Sequence, residues 1–319
     1  MPLIDMPLKE LKIYTGRNPK PDGFDSYWEK ALWEMHSVKS EVQLVPAEFQ
    51  APYADCYDMY YTGVDGAKIH AQLTRPKRIS KPSPAIVLFH GLGGYTGDWS
   101  YWLNYAAMGF TVAHMDCRGQ GGLSEDIGAV KGSTWRGHLI RGIDDFPEKL
   151  LYRQIYLDAA QLVELVMDMP NVDENKVGVF GGSQGGGLGL IAASLVPRVK
   201  LATVWNPYLC DYKRVWEMDL AKGAYEDLTY YFTRFDPLHK RESEFFERLG
   251  YIDVQHFCDK IKAKVLMGIC LMDNTCPPST QFAAYNKIRS DKEVLIYPDF
   301  DHTVPPLLLD IIFQLYAKL

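Results

Sequence analysis

Two hydrophobic rhythms divide the chain. Short and nearly continuous apolar runs recur from Pro84 onward, at residues 85–89, 111–115, 177–180, 201–205, 265–271 and 294–297. Runs of that length with no polar face predict strands covered on both sides, as in a parallel sheet. Between them, residues 155–169 place Ile155, Leu162, Leu165 and Val166 on related helical faces, and residues 186–195 predict a second helix. Strand and helix in alternation imply an α/β architecture, a mostly parallel central sheet flanked by helices.

The first part of the chain reads differently. Phe24, Trp28, Leu32 and Met35 fall at helical spacing over residues 24–38, after a Pro- and Gly-containing lead-in at 19–23. Residues 42–45, 57–62 and 68–73 are rich in β-branched and aromatic side chains, and the last two segments are separated by a Val64-Asp65-Gly66 turn. They predict an antiparallel entry to the sheet. Residues 206–262 break the later alternation with several helical pieces where a short connection would suffice, so they are expected to form an inserted cap. A closing helix is expected over 304–319. Without internal repeats or Gly/Ser linkers, residues 1–319 read as one domain, with an N-terminal extension of about 1–40 and a helical insertion of about 206–262.

Composition narrows the partners. A hydrophobic fraction of 47% and a charged fraction of 23% suit a folded chain. The formal net charge of -6 and the absence of basic runs argue against nucleic acid as a partner. No stretch is long and apolar enough to predict a membrane span. Asp5, Lys9 and Glu10 interrupt the N-terminal apolar residues as a signal peptide would not, which leads to the expectation of a cytoplasmic protein. Its six cysteines are scattered without metal-ligand spacing, so neither a disulfide framework nor a metal site is expected.

The chemistry concentrates at Gly181-Gly182-Ser183-Gln184-Gly185. This string follows a predicted strand and precedes a predicted helix, the setting of a G-x-S-x-G nucleophile elbow. Small residues permit the sharp turn that lifts Ser183 Oγ above the sheet at a helix N-terminus. A serine hydroxyl is a poor nucleophile near neutrality and requires a base, itself oriented by a carboxylate. His302 lies just after the last predicted strand, and Asp273 follows the strand before it, in the order Ser, Asp, His. Of the other histidines, His239 and His256 fall in the insertion and the rest lie upstream of Ser183. Asp299 and Asp301 are rivals to Asp273, but their closeness to His302 in sequence favours a loop-forming role.

A tetrahedral oxyanion also needs two donors. The backbone N–H of Gln184 is one candidate, and that of Leu92, in His90-Gly91-Leu92-Gly93-Gly94, is the other. The latter loop has neither the lysine of a P-loop nor a full G-x-G-x-x-G spacing, so no nucleotide or other cofactor is expected.

Arg118-Gly119-Gln120-Gly121, the elbow extended through Gly187, and residues 273–280 with His302 together resemble the cephalosporin-C deacetylase and acetyl xylan esterase family, carbohydrate esterase family 7. Tyr156-Leu157-Asp158-Ala159 and Phe282-Ala283-Ala284-Tyr285-Asn286 are also similar to it. The resemblance implies an α/β-hydrolase fold, Ser183, Asp273 and His302 as a triad, and acetyl esters of small carbohydrates or of cephalosporin C as substrates. It also implies a homohexamer with its active sites facing an inner chamber, with Arg118 and Gln120 as loop supports. Two positions depart from the family pattern, Thr303 where the family has Glu and Leu92 where it has an aromatic residue. The second bears on pocket shape and substrate rank. Aromatic residues of the insertion, Tyr208, Tyr212, Trp216, Tyr230, Tyr231 and Phe232, can either wall the pocket or pack inward.

Overall fold

The computed structural model describes residues 4–78, 80–132 and 137–319. Helices α1 (Leu8–Leu11) and α2 (Phe24–Ser37) precede strands β1 (Gln43–Pro46), β2 (Ala54–Thr62) and β3 (Lys68–Pro76). The alternating part runs β4 (Ser83–Phe89), α3 (Leu103–Ala107), β5 (Thr111–Met115), α4 (Leu151–Met167), β6 (Val172–Gly182), α5 (Gln184–Leu195) and β7 (Leu201–Trp205). Then come α6 (Tyr212–Glu217), α7 (Glu226–Arg234), α8 (Glu242–Gly250), β8 (Lys264–Cys270), α9 (Pro278–Lys287), β9 (Lys292–Tyr297) and α10 (Leu308–Tyr316).

All nine strands form one sheet in the order β1-β2-β3-β5-β4-β6-β7-β8-β9. The first three pair antiparallel and β3 runs antiparallel to β5, whereas every later pairing is parallel. The order in which strands are added across the sheet reverses around β4, which lies between β5 and β6. The loops after β4 and β6 therefore diverge at a switch point and leave a crevice at the carboxyl ends of the strands.

Several boundaries differ from the expected ones for local reasons. β6 starts at Val172, because Ser83 pairs with Val172 across a register shift, even though residues 173–176 are polar. α4 starts at Leu151, and its first-turn residues Leu151, Tyr152 and Arg153 are already buried. The closing helix begins at Leu308, after Pro305 and Pro306 and after Leu307 at a φ of 69°. A proline fits the first turn of a helix but not its interior.

Residues 206–262 pack inward to a large extent. Tyr208, Tyr212, Tyr231 and Phe232 are all buried within the main hydrophobic core, and Trp216 and Tyr230 lean against it. The N-terminal extension clasps this region. Tyr14 donates its hydroxyl to Asp211 at 2.7 Å, the Arg17 and Asn18 N–H groups donate to the same carboxylate at 2.9 and 2.8 Å, and the Trp28 indole donates to the Tyr251 carbonyl at 2.9 Å.

Candidate active site

Ser183 sits between β6 and α5 with φ 55° and ψ -122°, a conformation that costs a non-glycine residue steric strain. The surrounding backbone enforces it. A Cβ on Gly185 would lie 2.0 Å from the Phe89 carbonyl oxygen, and one on Gly182 would lie 2.1 Å from the Trp205 ring. Only glycines let the start of α5 close against the end of β4 and let β6 turn past Trp205.

His302 Nε2 lies 2.9 Å from Ser183 Oγ, and its Nδ1 lies 2.7 Å from Asp273 Oδ2. Asp273 is fully buried, and its Oδ1 accepts the Thr275 and Cys276 N–H groups at 2.9 and 2.8 Å. Gln281 donates to Oδ2 at 3.2 Å. A carboxylate held by these donors leaves His302 Nδ1 protonated and Nε2 free to accept from the serine hydroxyl. The Asp273 loop is supported from a distance: Asp5 Oδ2 accepts the Ser279 N–H at the start of α9 at 2.7 Å, while Oδ1 accepts from Arg214 at 2.8 Å. Neither Asp299 nor Asp301 touches the His302 ring among the described residues.

The loop after β4 is tied to the elbow through side chains. Gln120 and Gln184 exchange amide hydrogen bonds of 2.8 and 3.0 Å, Gly93 N–H donates to Gln120 Oε1 at 2.8 Å, and the Tyr152 hydroxyl donates to Gln184 Oε1 at 2.8 Å. The Gln184 N–H itself belongs to the first turn of α5, where backbone donors lack an intrahelical acceptor. Leu92 precedes Gly93 and lines a separate hollow with Gln120 and Tyr208, whereas Gly91 of the same loop lines the pocket at Ser183. His90 braces the same loop: Nε2 accepts the Cys117 N–H at 3.0 Å, so Nδ1, 2.7 Å from the Gly91 carbonyl, carries the proton. Burial pushes its pKa down, consistent with a neutral ring. Arg118 forms a buried two-pronged pair with Asp158 at 2.5 and 2.7 Å and donates to the Val64 carbonyl, a structural task away from the triad.

A pocket of about 520 Å³ opens at Ser183 and His302. Its aromatic walls are Phe89, Tyr95, Tyr101, Trp102, Phe180 and Trp205, and not the insertion's aromatic residues. His114 joins the lining from β5. Sequence reasoning missed this wall because Tyr95, Tyr101 and Trp102 stand in a connection with no periodicity, and His114 occupies a strand otherwise read as core. Asp273, Cys276 and His302 present ligand-type atoms within 4.8 Å of one another, a grouping across loops that cysteine spacing could not reveal. Two of its members are already bonded to each other.

A mostly parallel sheet, a serine on a strand-to-helix elbow, and His and Asp from the ends of later strands define an α/β hydrolase. The chain matches the acetyl xylan esterase (AXE1) family model over residues 1–317 and belongs to that family, one of carboxylic ester hydrolases. Its fold superposes on acetyl xylan esterase 1 from a Thermoanaerobacterium species with a TM-score of 0.98 at 52% identity, covering 99% of each chain. For an acetyl xylan esterase from a Paenibacillus species the TM-score is 0.93 at 35% identity, covering 98% of this chain and 99% of the other. Acetyl esterase Axe7A from Xylanibacter ruminicola is 28% identical over 298 residues, which span 92% of this chain and 65% of that protein.

Proposed function

We propose that the protein is a serine esterase that removes acetyl groups from small acetylated carbohydrates, xylo-oligosaccharides in the first place, and from cephalosporin C. The observation that carries this reading is the unbroken chain from Ser183 Oγ through His302 to buried Asp273 at the mouth of the aromatic pocket. In this reading His302 takes the hydroxyl proton as Ser183 attacks the acetyl carbonyl, and Asp273 stabilises the imidazolium. The Gln184 and Leu92 N–H groups receive the developing oxyanion. His302 then protonates the departing alcohol. Water activated by the same base releases acetate from the acyl-enzyme, with no cofactor in any step. The flat faces of Tyr95, Tyr101 and Trp102 suit the C–H faces of a sugar ring.

The family resemblance further supports a homohexamer that admits small oligosaccharides, with light scattering as its check. Among the described residues no helix is long and apolar enough to cross a membrane. All six cysteines are buried and unpaired, which favours a reducing, cytoplasmic setting. Acetate release from acetylated xylo-oligosaccharides and cephalosporin C, measured beside longer acyl esters and an acylated peptide, tests the substrate class. Preferential acetate release supports it, and cleavage of only the longer esters or the peptide overturns it.

A further inference from the structure

Two residues that line the pocket each carry a buried ring nitrogen without a partner. Trp102 Nε1 and His114 Nδ1 are buried and make no hydrogen bond, whereas buried His90 and Asn206 of the same wall are engaged at both ends. His90 bonds the Gly91 carbonyl and the Cys117 N–H, and Asn206 bonds the Thr303 carbonyl and the Cys270 N–H. The two rings that carry these atoms are neighbours, meeting edge to face with centroids 5.9 Å apart, and the His114 ring also engages the Thr96 carbonyl. An unpaired buried polar group destabilises the protein that carries it, so its retention in a wall of this kind calls for an explanation.

The chemistry of the pair is complementary. Indole nitrogen is a donor only, while a neutral imidazole offers one donor and one acceptor. Burial, reinforced by neighbouring His90, pushes the His114 pKa down to about 3, so the ring is neutral near pH 7. Asp116, the Thr96 carbonyl and His70 also face it, the first two pulling the other way. A hydroxyl, which both accepts and donates, matches such a pair, whereas a carboxylate or an alkyl chain does not.

We propose that Trp102 and His114 form a subsite that reads a hydroxyl group on the alcohol portion of the ester. The proposal rests on the esterase reading and adds to it the reason why a polyhydroxylated alcohol is preferred over an alkyl one. Trp102 ends the short 3-10 turn Trp99–Trp102 and is half-buried, with exposed Tyr101 beside it. Both nitrogens are screened from solvent, so engagement turns the Trp102 ring about its side-chain bonds, and an ester lacking a hydroxyl leaves them unpaired.

Glycerol 1-acetate and propyl acetate separate this from acetyl recognition, since they share the acyl group and differ in hydroxyl content. The quantity read is the ratio of kcat/KM on the glycerol ester to kcat/KM on the propyl ester, for wild type, Trp102→Phe and His114→Phe. Loss of one hydrogen bond to the hydroxyl is expected to lower that ratio about tenfold in each variant, chiefly through KM. A ratio unchanged in both variants overturns the subsite and leaves the two rings a packing role, while the esterase reading stands. Wild type inert toward both esters overturns the esterase reading, and the subsite with it.

Discussion

Gln120 and Gln184 face each other with reciprocal amide hydrogen bonds, 2.8 Å in one direction and 3.0 Å in the other. One belongs to the loop after β5 and the other opens α5 directly after the proposed nucleophile. Because Gln120 Oε1 also receives the Gly93 N–H, this pair joins the two backbone segments expected to hold the oxyanion. It braces them from outside the lining of the pocket at Ser183.

Replacing Gln120 should therefore act through geometry. Gln120→Ala is expected to lower kcat by roughly 10- to 100-fold with little change in KM, since small misplacements of preorganised donors are that costly. Gln120→Glu accepts the Gly93 bond but cannot donate to Gln184, and an intermediate kcat is expected. Steady-state kinetics on one acetyl ester across the three proteins checks the order.

Asp273→Asn tests the orientation of the base. An amide can turn its NH2 toward His302 Nδ1 and so hold the wrong tautomer, leaving Nε2 protonated and unable to accept from Ser183. The expected loss in kcat is about 10⁴-fold, with a thermal unfolding curve close to that of wild type.

Asp5 links the beginning of the chain to the loop that holds Asp273. Its side chain is almost wholly buried and joins the Ser279 N–H at the start of α9 to the Arg214 guanidinium. Asp5→Ala removes a helix-terminal acceptor and leaves a partly buried cation without this partner. A loss of about 1–3 kcal/mol in urea unfolding is expected.

His256 makes stability depend on pH. Burial first, then Lys287 and Lys20, push its pKa down to about 3, while the Pro19 and Asn18 carbonyls oppose the shift. The unfolded chain takes up a proton near the ordinary value of about 6.5 and the folded one does not, so acidification through that range favours unfolding. Between pH 7.5 and pH 5 wild type should lose about 2 kcal/mol more than His256→Gln, which retains a donor for the Pro19 carbonyl. Taking the difference between the two proteins removes the opposing contribution of buried Asp253, whose pKa is raised to about 7 by burial beside Asp211.

The parallel half of the fold was legible from local apolar runs, and Ser183, Asp273 and His302, which the structure brings within hydrogen-bond distance, could be singled out because each closely follows such a run. An apolar run betrays a buried strand, and the strand-glycine-serine-glycine-helix string specifies the elbow. What was illegible depends on distant pairing. Nothing near Asp5 indicates that it meets Ser279, and the polar residues 173–176 hide the start of β6 until β4 is placed beside it. The pocket wall was hidden for the same reason, since Trp102 and His114 come together only when the connection after β4 folds over β5. The two alternatives for the insertion's aromatic residues, walling or packing, are resolved by the core: Tyr208, Tyr212, Tyr231 and Phe232 are buried in it.

In the proposed reaction Ser183 forms the covalent intermediate. The most direct test of this step is intact-mass measurement after exposure to a serine-directed phosphonate, on wild type and Ser183→Ala in parallel, with acetate release followed in the same samples. One adduct per wild-type chain with concurrent loss of acetate release is expected, and neither adduct nor acetate release in Ser183→Ala. An equal adduct on Ser183→Ala, or undiminished acetate release by that variant, would contradict it.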